Sequence, residues 1–332
     1  MPTTTWPTTV RLRGEAFASD WAVSIVVKND REQARAQALT SSIDAAIAEV
    51  GRQLSAWDPK AEVARFSAAR HRRPLLASKG TLAVVGVALD VAARTDGAFD
   101  PTLGPLLDLW GFSAATKGTV AAPPAPAAIE LARGRVGYRH VDVDDGLLRK
   151  DRDDTTLDVT AIADGAAAAA VAGALRERGF ARFLVDVAGE VVVSGTGEAR
   201  PWRVGINTPS TDASATDSVR QAALSPSSSS SLLALSTSGT YREAWTADGH
   251  RYSHIIDPRT GRPVDHDLVS CTVVGVDVVV ADAVSTACVV LGEAATRLVL
   301  AEQFPGYEAL FIQATTPTTF TTTTTTGFPP SP

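Results

Sequence analysis

The sequence predicts an α+β fold in which mixed or antiparallel sheets pack against helices within a single large domain. Three observations carry this. Runs rich in β-branched and aromatic residues, such as residues 21–27, 183–193 and 269–276, read as strands, some of them hairpins. Apolar residues spaced three and four apart mark amphipathic helices between them. No Gly-x-Gly-x-x-Gly fingerprint is present, which argues against a doubly wound nucleotide-binding sheet.

A chain of 332 residues, 45% of them hydrophobic, has ample material for a core. The domain is expected over residues 11–314. Residues 1–10 read as a frayed N-terminus and residues 315–332 as a disordered Thr-rich tail. A formal net charge of −6 argues against a nucleic-acid surface. The one dense basic run, Arg70-His71-Arg72-Arg73, is short and reads as a solvated loop. Cys271 and Cys288 sit in apolar surroundings at a spacing that suggests neither a zinc site nor a redox pair, so both are expected as buried thiols. The N-terminus lacks a basic start and apolar run, and no 18-residue apolar stretch is free of polar interruption; the expectation is a cytoplasmic chain without a membrane span.

Taken in order, Trp21 to Val27 reads as the first strand. Leu39, Ile43, Ile47, Val50 and Leu54 form the stripe of a helix from Glu32 to Leu54, followed by the turn Ser55-Ala56-Trp57-Asp58-Pro59. Ser78 caps a second helix ending near Gly97. Ala98-Phe99-Asp100-Pro101-Thr102 is then a structured loop, the kind of segment that carries ligand contacts on a rigid scaffold. Residues 114–129, rich in Ala, Pro and Thr, read as a linker, and residues 136–143 begin a strand pair. Residues 155–165 lead into an alanine-rich helix ending near Gly179. A Gly-containing loop at a helix N-terminus is a natural anion seat, and a diphosphate is expected there.

Further on, residues 183–193 form a hairpin broken at Ala188-Gly189, and Trp202 to Ile206 forms a strand. Residues 208–231 read as a mobile Ser/Ala-rich insertion, because that composition buries too little apolar surface to order itself. Leu233 to Gly239 returns as a strand and turn, with Ser238-Gly239 amides available to phosphate. After a strand over residues 269–276, Asp282 and Thr286 lie four apart at a helix start, so their oxygens face one side. A carboxylate and a hydroxyl at that spacing suit a hard cation such as Mg²⁺, although helix starts also favour Asp and Thr as caps. Tyr307 to Ile312 is the last strand.

The chain is organised around His254-Ile255-Ile256-Asp257-Pro258-Arg259-Thr260-Gly261. Ile255 and Ile256 end a strand, Asp257-Pro258 opens a tight turn, and Gly261 supplies the positive φ that reverses the chain. The result is a fixed pedestal for His254, a group that titrates near neutrality.

This octet resembles the ApbE family of FAD:protein FMN transferases. So do Ser236-Thr237-Ser238-Gly239, Ala281 to Ala287, Ala98 to Leu106 with Leu109-Trp110-Gly111-Phe112, Leu157-Asp158 with Ile162-Ala163 and Gly165, and Trp202 to Ile206. The resemblance implies an ApbE-like, T-fold-like domain that uses Mg²⁺ to move FMN from FAD onto a threonine of an acceptor flavoprotein. It implies that His254 is the catalytic base and that Ala98, Phe99, Asp100, Asp158, Asp164, Gly165, Ser238, Gly239, His254 and Ile255 contact FAD. Trp57 either stacks on the flavin or lids the helix end. The implied Mg²⁺ ligands are Asp282, Thr286 and the Ala161 carbonyl.

Two departures stand out. Where relatives carry a lysine that meets the cofactor, this chain has Asp164; where they carry Asn-x-Gly-Gly-Asp, it has Asp186, Ala188, Gly189 and Glu190. Both load acidity near the site. They keep open a FAD pyrophosphatase yielding FMN and AMP, and a FAD-binding protein without chemistry.

Overall fold

The computed structural model describes residues 6–16, 19–210, 218–226, 231–316 and 318–332. Strands β1 (Thr8–Ala16) and β2 (Ser19–Val27) form an edge hairpin, so order begins before the residue 11 boundary expected from the sequence. In β2, Trp21, Val23, Ile25 and Val27 alternate onto the core face. The helix expected over residues 32–54 is two helices, α1 (Asp30–Gln37) and α2 (Thr40–Leu54). The joint lies at Ala38-Leu39, and the apolar stripe from Ile43 to Leu54 belongs to α2 alone. Next come α3 (Glu62–Ala68), β3 (Leu75–Leu76) and α4 (Lys79–Arg94), the last capped by the Ser78 hydroxyl.

Helix α5 (Gly104–Trp110) precedes the linker, which ends sooner than expected because Pro126 starts α6 (Pro126–Arg133). Proline is tolerated in a first helical turn, where its missing N–H has no partner to lose. Tyr138–His140 is a 3-10 turn before β4 (Val141–Asp144), which pairs with β5 (Leu147–Lys150). A second 3-10 turn, Thr160–Ile162, leads into the alanine-rich α7 (Ala163–Glu177). The hairpin β6 (Phe183–Val187) and β7 (Glu190–Ser194) turns at Ala188 and Gly189, both at positive φ.

Strand β8 (Trp202–Asn207) pairs with β9 (Ser218–Leu224). This corrects the reading of residues 208–231 as mobile throughout: Ala222 and Leu224 are buried against Val204 and Ile206, an alternation hidden by the Ser-rich flanks. Residues 211–217 and 227–230 of that stretch lie outside the described residues. Then follow β10 (Leu232–Gly239), β11 (Ala244–Ala247), β12 (His250–Ser253), β13 (Ile256–Asp257), β14 (Arg262–Pro263), β15 (Leu268–Gly275) and α8 (Val278–Gln303). The tail expected to be disordered continues β16 (Glu308–Thr316) into an edge strand, β17 (Thr319–Thr324), and Phe328 is buried. Threonine is β-branched and fits a pleated edge, so a low-complexity run still pairs where a partner strand is offered.

One eight-stranded sheet in the order β1-β2-β6-β7-β10-β15-β16-β17, antiparallel throughout, organises the chain. Its helical face carries the main core, with α7 packed on α2 and α8 lying over β10 and β15. The β8–β9 ribbon and Phe328 cover the other face. Among the described residues α8 is the one helix long and apolar enough to cross a membrane, but most of its apolar window is buried in this core. A third cluster, formed by Leu106, Trp110, Ile129 and Ala132 with Ile256, clamps the central octet.

Candidate active site

The octet is built as a rigid reversal. The Asp257 carbonyl accepts from the amides of Thr260 (3.2 Å) and Gly261 (2.8 Å), and the Asp257 carboxylate pairs with Arg259 at 2.9 Å. Gly261 sits at φ +70°, and a Cβ there would stand 2.7 Å from the Ile129 side chain. The Trp110 indole Nε1 donates to the Gly261 carbonyl at 2.9 Å. The strand expected to end at Ile255-Ile256 breaks earlier: β12 stops at Ser253, and His254 bridges to the two-residue β13.

That break fixes the histidine. Its backbone N–H donates to the Glu243 carbonyl at 3.0 Å, and its ring Nδ1 lies 3.1 Å from the same oxygen. A carbonyl only accepts, so Nδ1 carries the proton and Nε2 is left with a free lone pair. Burial holds the His254 pKa below 6.5, against the opposing pull of Glu243, and Arg242 and Arg251 lower it further. The ring is therefore a neutral base near pH 7. Phe112 meets it edge-on, with ring centroids 6.4 Å apart.

Asp282 lines the same cleft as His254. Asp277 caps α8, its side chain accepting from the amides of Val279 (2.9 Å) and Val280 (3.2 Å), and this sets the helix phase. Asp282 consequently points inward, 5% exposed. Its Oδ2 accepts from the Gly165 amide at 3.0 Å and its Oδ1 from the Ser236 hydroxyl at 3.1 Å. Thr286 is one turn on, its hydroxyl 2.8 Å from that of Ser238. Burial first, and then the nearby Asp164, push the Asp282 pKa up to about 8. Burial also raises Asp164, and it raises Glu190 well above the usual range with Asp282 and Asp164 adding to the effect.

Both groups line one cleft of about 360 Å³ between the octet, the loop of residues 98–103, the start of α7 and β10. Of the residues expected from the sequence, Ala98, Phe99, Asp100, Asp158, Ala161 and Asp164 line it. Ser238, Gly239, His254, Ile255, Asp282 and Thr286 line it as well, and Trp57, 57% exposed, stands at its rim. Gly165 alone lies behind the lining, where its amide is engaged by Asp282. The free amide expected there for a diphosphate is thus taken by a carboxylate. Ser238 and Gly239 do not turn; they pair with Cys271 and Ser270 of β15, and the Ser238 hydroxyl faces Thr286. Asp100 is anchored, accepting from the Thr102 amide (2.8 Å), the Thr102 hydroxyl (2.6 Å) and the Tyr138 amide (2.9 Å).

The ApbE family model matches residues 17–311. The chain belongs to the ApbE family. A FAD:protein FMN transferase of Klebsiella pneumoniae is 36% identical over 297 residues, 88% of this chain and 81% of that protein. The one from Salmonella typhimurium is 35% identical over 298 residues, 87% of this chain and 81% of that protein. The solved flavin transferase ApbE from Vibrio cholerae aligns with a TM-score of 0.81 at 30% identity, over 97% of this chain and 98% of that one. The apo flavinyl transferase ApbE of Pseudomonas stutzeri gives the same TM-score and identity over 96% and 95%. The α+β fold of this chain is therefore the ApbE fold.

Sequence reasoning missed Arg242 and Glu243, which line the cleft just after β10. Their only signal was position, three and four residues beyond Gly239 in a segment that leads to His254. Among the described residues no three His, Cys, Asp or Glu side chains form a metal-binding group. A cation here would draw on one carboxylate together with hydroxyl and carbonyl oxygens.

Proposed function

We propose that this chain transfers FMN from FAD to a threonine hydroxyl of an acceptor flavoprotein, with Mg²⁺ as cofactor and AMP as leaving group. The observation that carries the reading is a neutral, oriented imidazole sharing one cleft with a buried acid corner. The names of the relatives, FAD:protein FMN transferases, supply the substrate class.

The donor set fits Mg²⁺. The Asp282 carboxylate, the Thr286 hydroxyl and the Ala161 carbonyl all border the cleft, and Glu190 Oε2 is buried beside them without a hydrogen-bond partner. Buried acids of this kind are strongly disfavoured without a compensating cation. Oxygen donors with positions left for water and phosphate suit this ion. When bound there, Mg²⁺ neutralises charge on the diphosphate.

The remaining chemistry belongs to the chain. His254 Nε2 accepts the proton of the acceptor hydroxyl while that oxygen attacks the FMN-side phosphorus. A new O–P bond forms, the bond from that phosphorus to the bridging oxygen breaks, and AMP departs with the electron pair. The Glu243 carbonyl holds the ring through Nδ1 and stabilises the imidazolium formed. Trp57 at the rim and Phe99 in the wall offer apolar surface to the flavin.

The test is mass spectrometry of an acceptor carrying an Asp-x-x-Ser/Thr-x-Ala-Thr segment. The reading predicts a gain of one FMN-sized group with FAD and Mg²⁺, abolished by EDTA and restored by excess Mg²⁺. Labelling that persists unchanged in EDTA removes the metal from the reading.

A further inference from the structure

We propose that Arg242, the lone cation of the cleft lining, is the residue that binds the diphosphate of the flavin nucleotide. This rests on reading FAD as the substrate. Six carboxylates line the cleft: Asp100, Asp158, Asp164, Glu190, Glu243 and Asp282. A diphosphate entering among them is repelled by each one that ionises. Arg242 is the one Lys or Arg among the lining residues, so it carries the attraction that the cleft needs.

Its placement fits the task. The guanidinium reaches from the segment after β10 to the β6–β7 turn, where a Cβ on Gly189 would sit 3.5 Å from its Nη2. From there its charge acts on Asp164, Asp186, Glu190 and Asp282 together. Yet none of the ion pairs within 4.0 Å among the described residues includes Arg242. Glu243, its chain neighbour, pairs instead with Lys117 at 2.7 Å. Arg242 is exposed at the cleft, and a guanidinium near several acids but paired with none of them keeps its planar fork for a phosphate, which it meets with two parallel N–H···O bonds. The Gly165 amide, engaged by Asp282, does not compete for this role.

The assignment makes Arg242 a binding residue for phosphate and leaves the isoalloxazine ring to the apolar wall. The experiment compares FAD with riboflavin, which has the ring and no phosphate, by equilibrium fluorescence titration in Mg²⁺. Wild type, Arg242→Gln and Arg242→Lys are compared, with thermal unfolding of each. The expected result is a loss of FAD affinity of about 10- to 100-fold in Arg242→Gln, the range for a charge-assisted hydrogen bond. Partial recovery is expected in Arg242→Lys, with riboflavin affinity and unfolding unchanged in both. FAD affinity within twofold of wild type in Arg242→Gln overturns the proposal. So does an equal loss for riboflavin, which would make Arg242 a shaper of the pocket. Wild type that fails to bind FAD at all overturns the substrate reading itself, and this inference with it.

Discussion

The Gly165 amide donates to the Asp282 carboxylate across 3.0 Å, so the first turn of α7 and the second turn of α8 share one buried acid. The contact requires glycine. A Cβ at residue 165 would stand 2.7 Å from Asp282 Oδ2 and 3.1 Å from the Val278 carbonyl. Gly165→Ala is therefore expected to push the two helices apart, with a loss of about 1–3 kcal/mol, the usual range for overpacking. Denaturant unfolding checks the stability, and the Mg²⁺ concentration needed for half-maximal acceptor labelling checks the displacement of Asp282.

Asp282 sets up the opposite effect. Without a cation its folded pKa is about 8, raised first by burial, against about 3.9 for the unfolded chain. The folded state binds more protons, so this group's contribution to stability is lost as pH rises from about 4 through about 8. Asp282→Asn removes that slope. In EDTA its melting temperature is expected to fall less between pH 6 and pH 8 than that of wild type, while Mg²⁺-dependent labelling disappears. Equal slopes in the two proteins would show that Asp282 is ionised without strain.

His254 shifts the other way. Its folded pKa lies below 6.5 because burial disfavours the imidazolium. Sign follows from proton counting: the unfolded histidine takes up a proton first as pH falls, so the stability contribution is complete above 6.5 and is lost through the folded pKa. The base form likewise survives below pH 6.5. The acidic limb of the labelling rate is expected to have its midpoint under 6.5, and His254→Ala to lose about 10²–10⁴-fold. A wild-type rate in that variant would remove the histidine from proton transfer.

Two glycines at nearly equal φ separate backbone strain from packing. A Cβ added at Gly261 (φ +70°) would meet Ile129 at 2.7 Å, whereas one added at Gly249 (φ +75°) would meet nothing within 4 Å. Alanine at either position carries the left-handed cost of about 1–2 kcal/mol. Gly261→Ala is expected to cost more, and to reduce labelling as well, because the octet carries His254. Unfolding of the two variants side by side gives the difference.

The sequence made most of the site readable because its residues sit in short local signals: a turn pair at Asp257-Pro258, an Asp and Thr one helical turn apart, a Gly-containing helix start. What it hid was long-range. That Gly165 faces Asp282, 117 residues along the chain, depends on their two helices meeting, and no local pattern reports it. Arg242 was invisible because a lone arginine has no motif; only the folded cleft shows that it is the single guanidinium among six carboxylates. In the fold, the helix stripe over 43–54 was legible, while the joint at Ala38-Leu39 was not, since apolar spacing continues across it. Strands β9 and β17 were masked by Ser- and Thr-rich composition, which reads as solvated until a partner strand is in place.

The central claim is that one cleft both splits FAD and delivers FMN to a protein. Its most direct test is to incubate the purified chain with FAD, Mg²⁺ and a threonine-bearing acceptor, and to count AMP released against flavin bound to the acceptor. The account predicts one AMP for each FMN-sized mass gain, and loss of both on replacing the acceptor threonine with alanine. AMP released at the same rate without acceptor labelling would contradict it, and would mean that water takes the place of the threonine at His254.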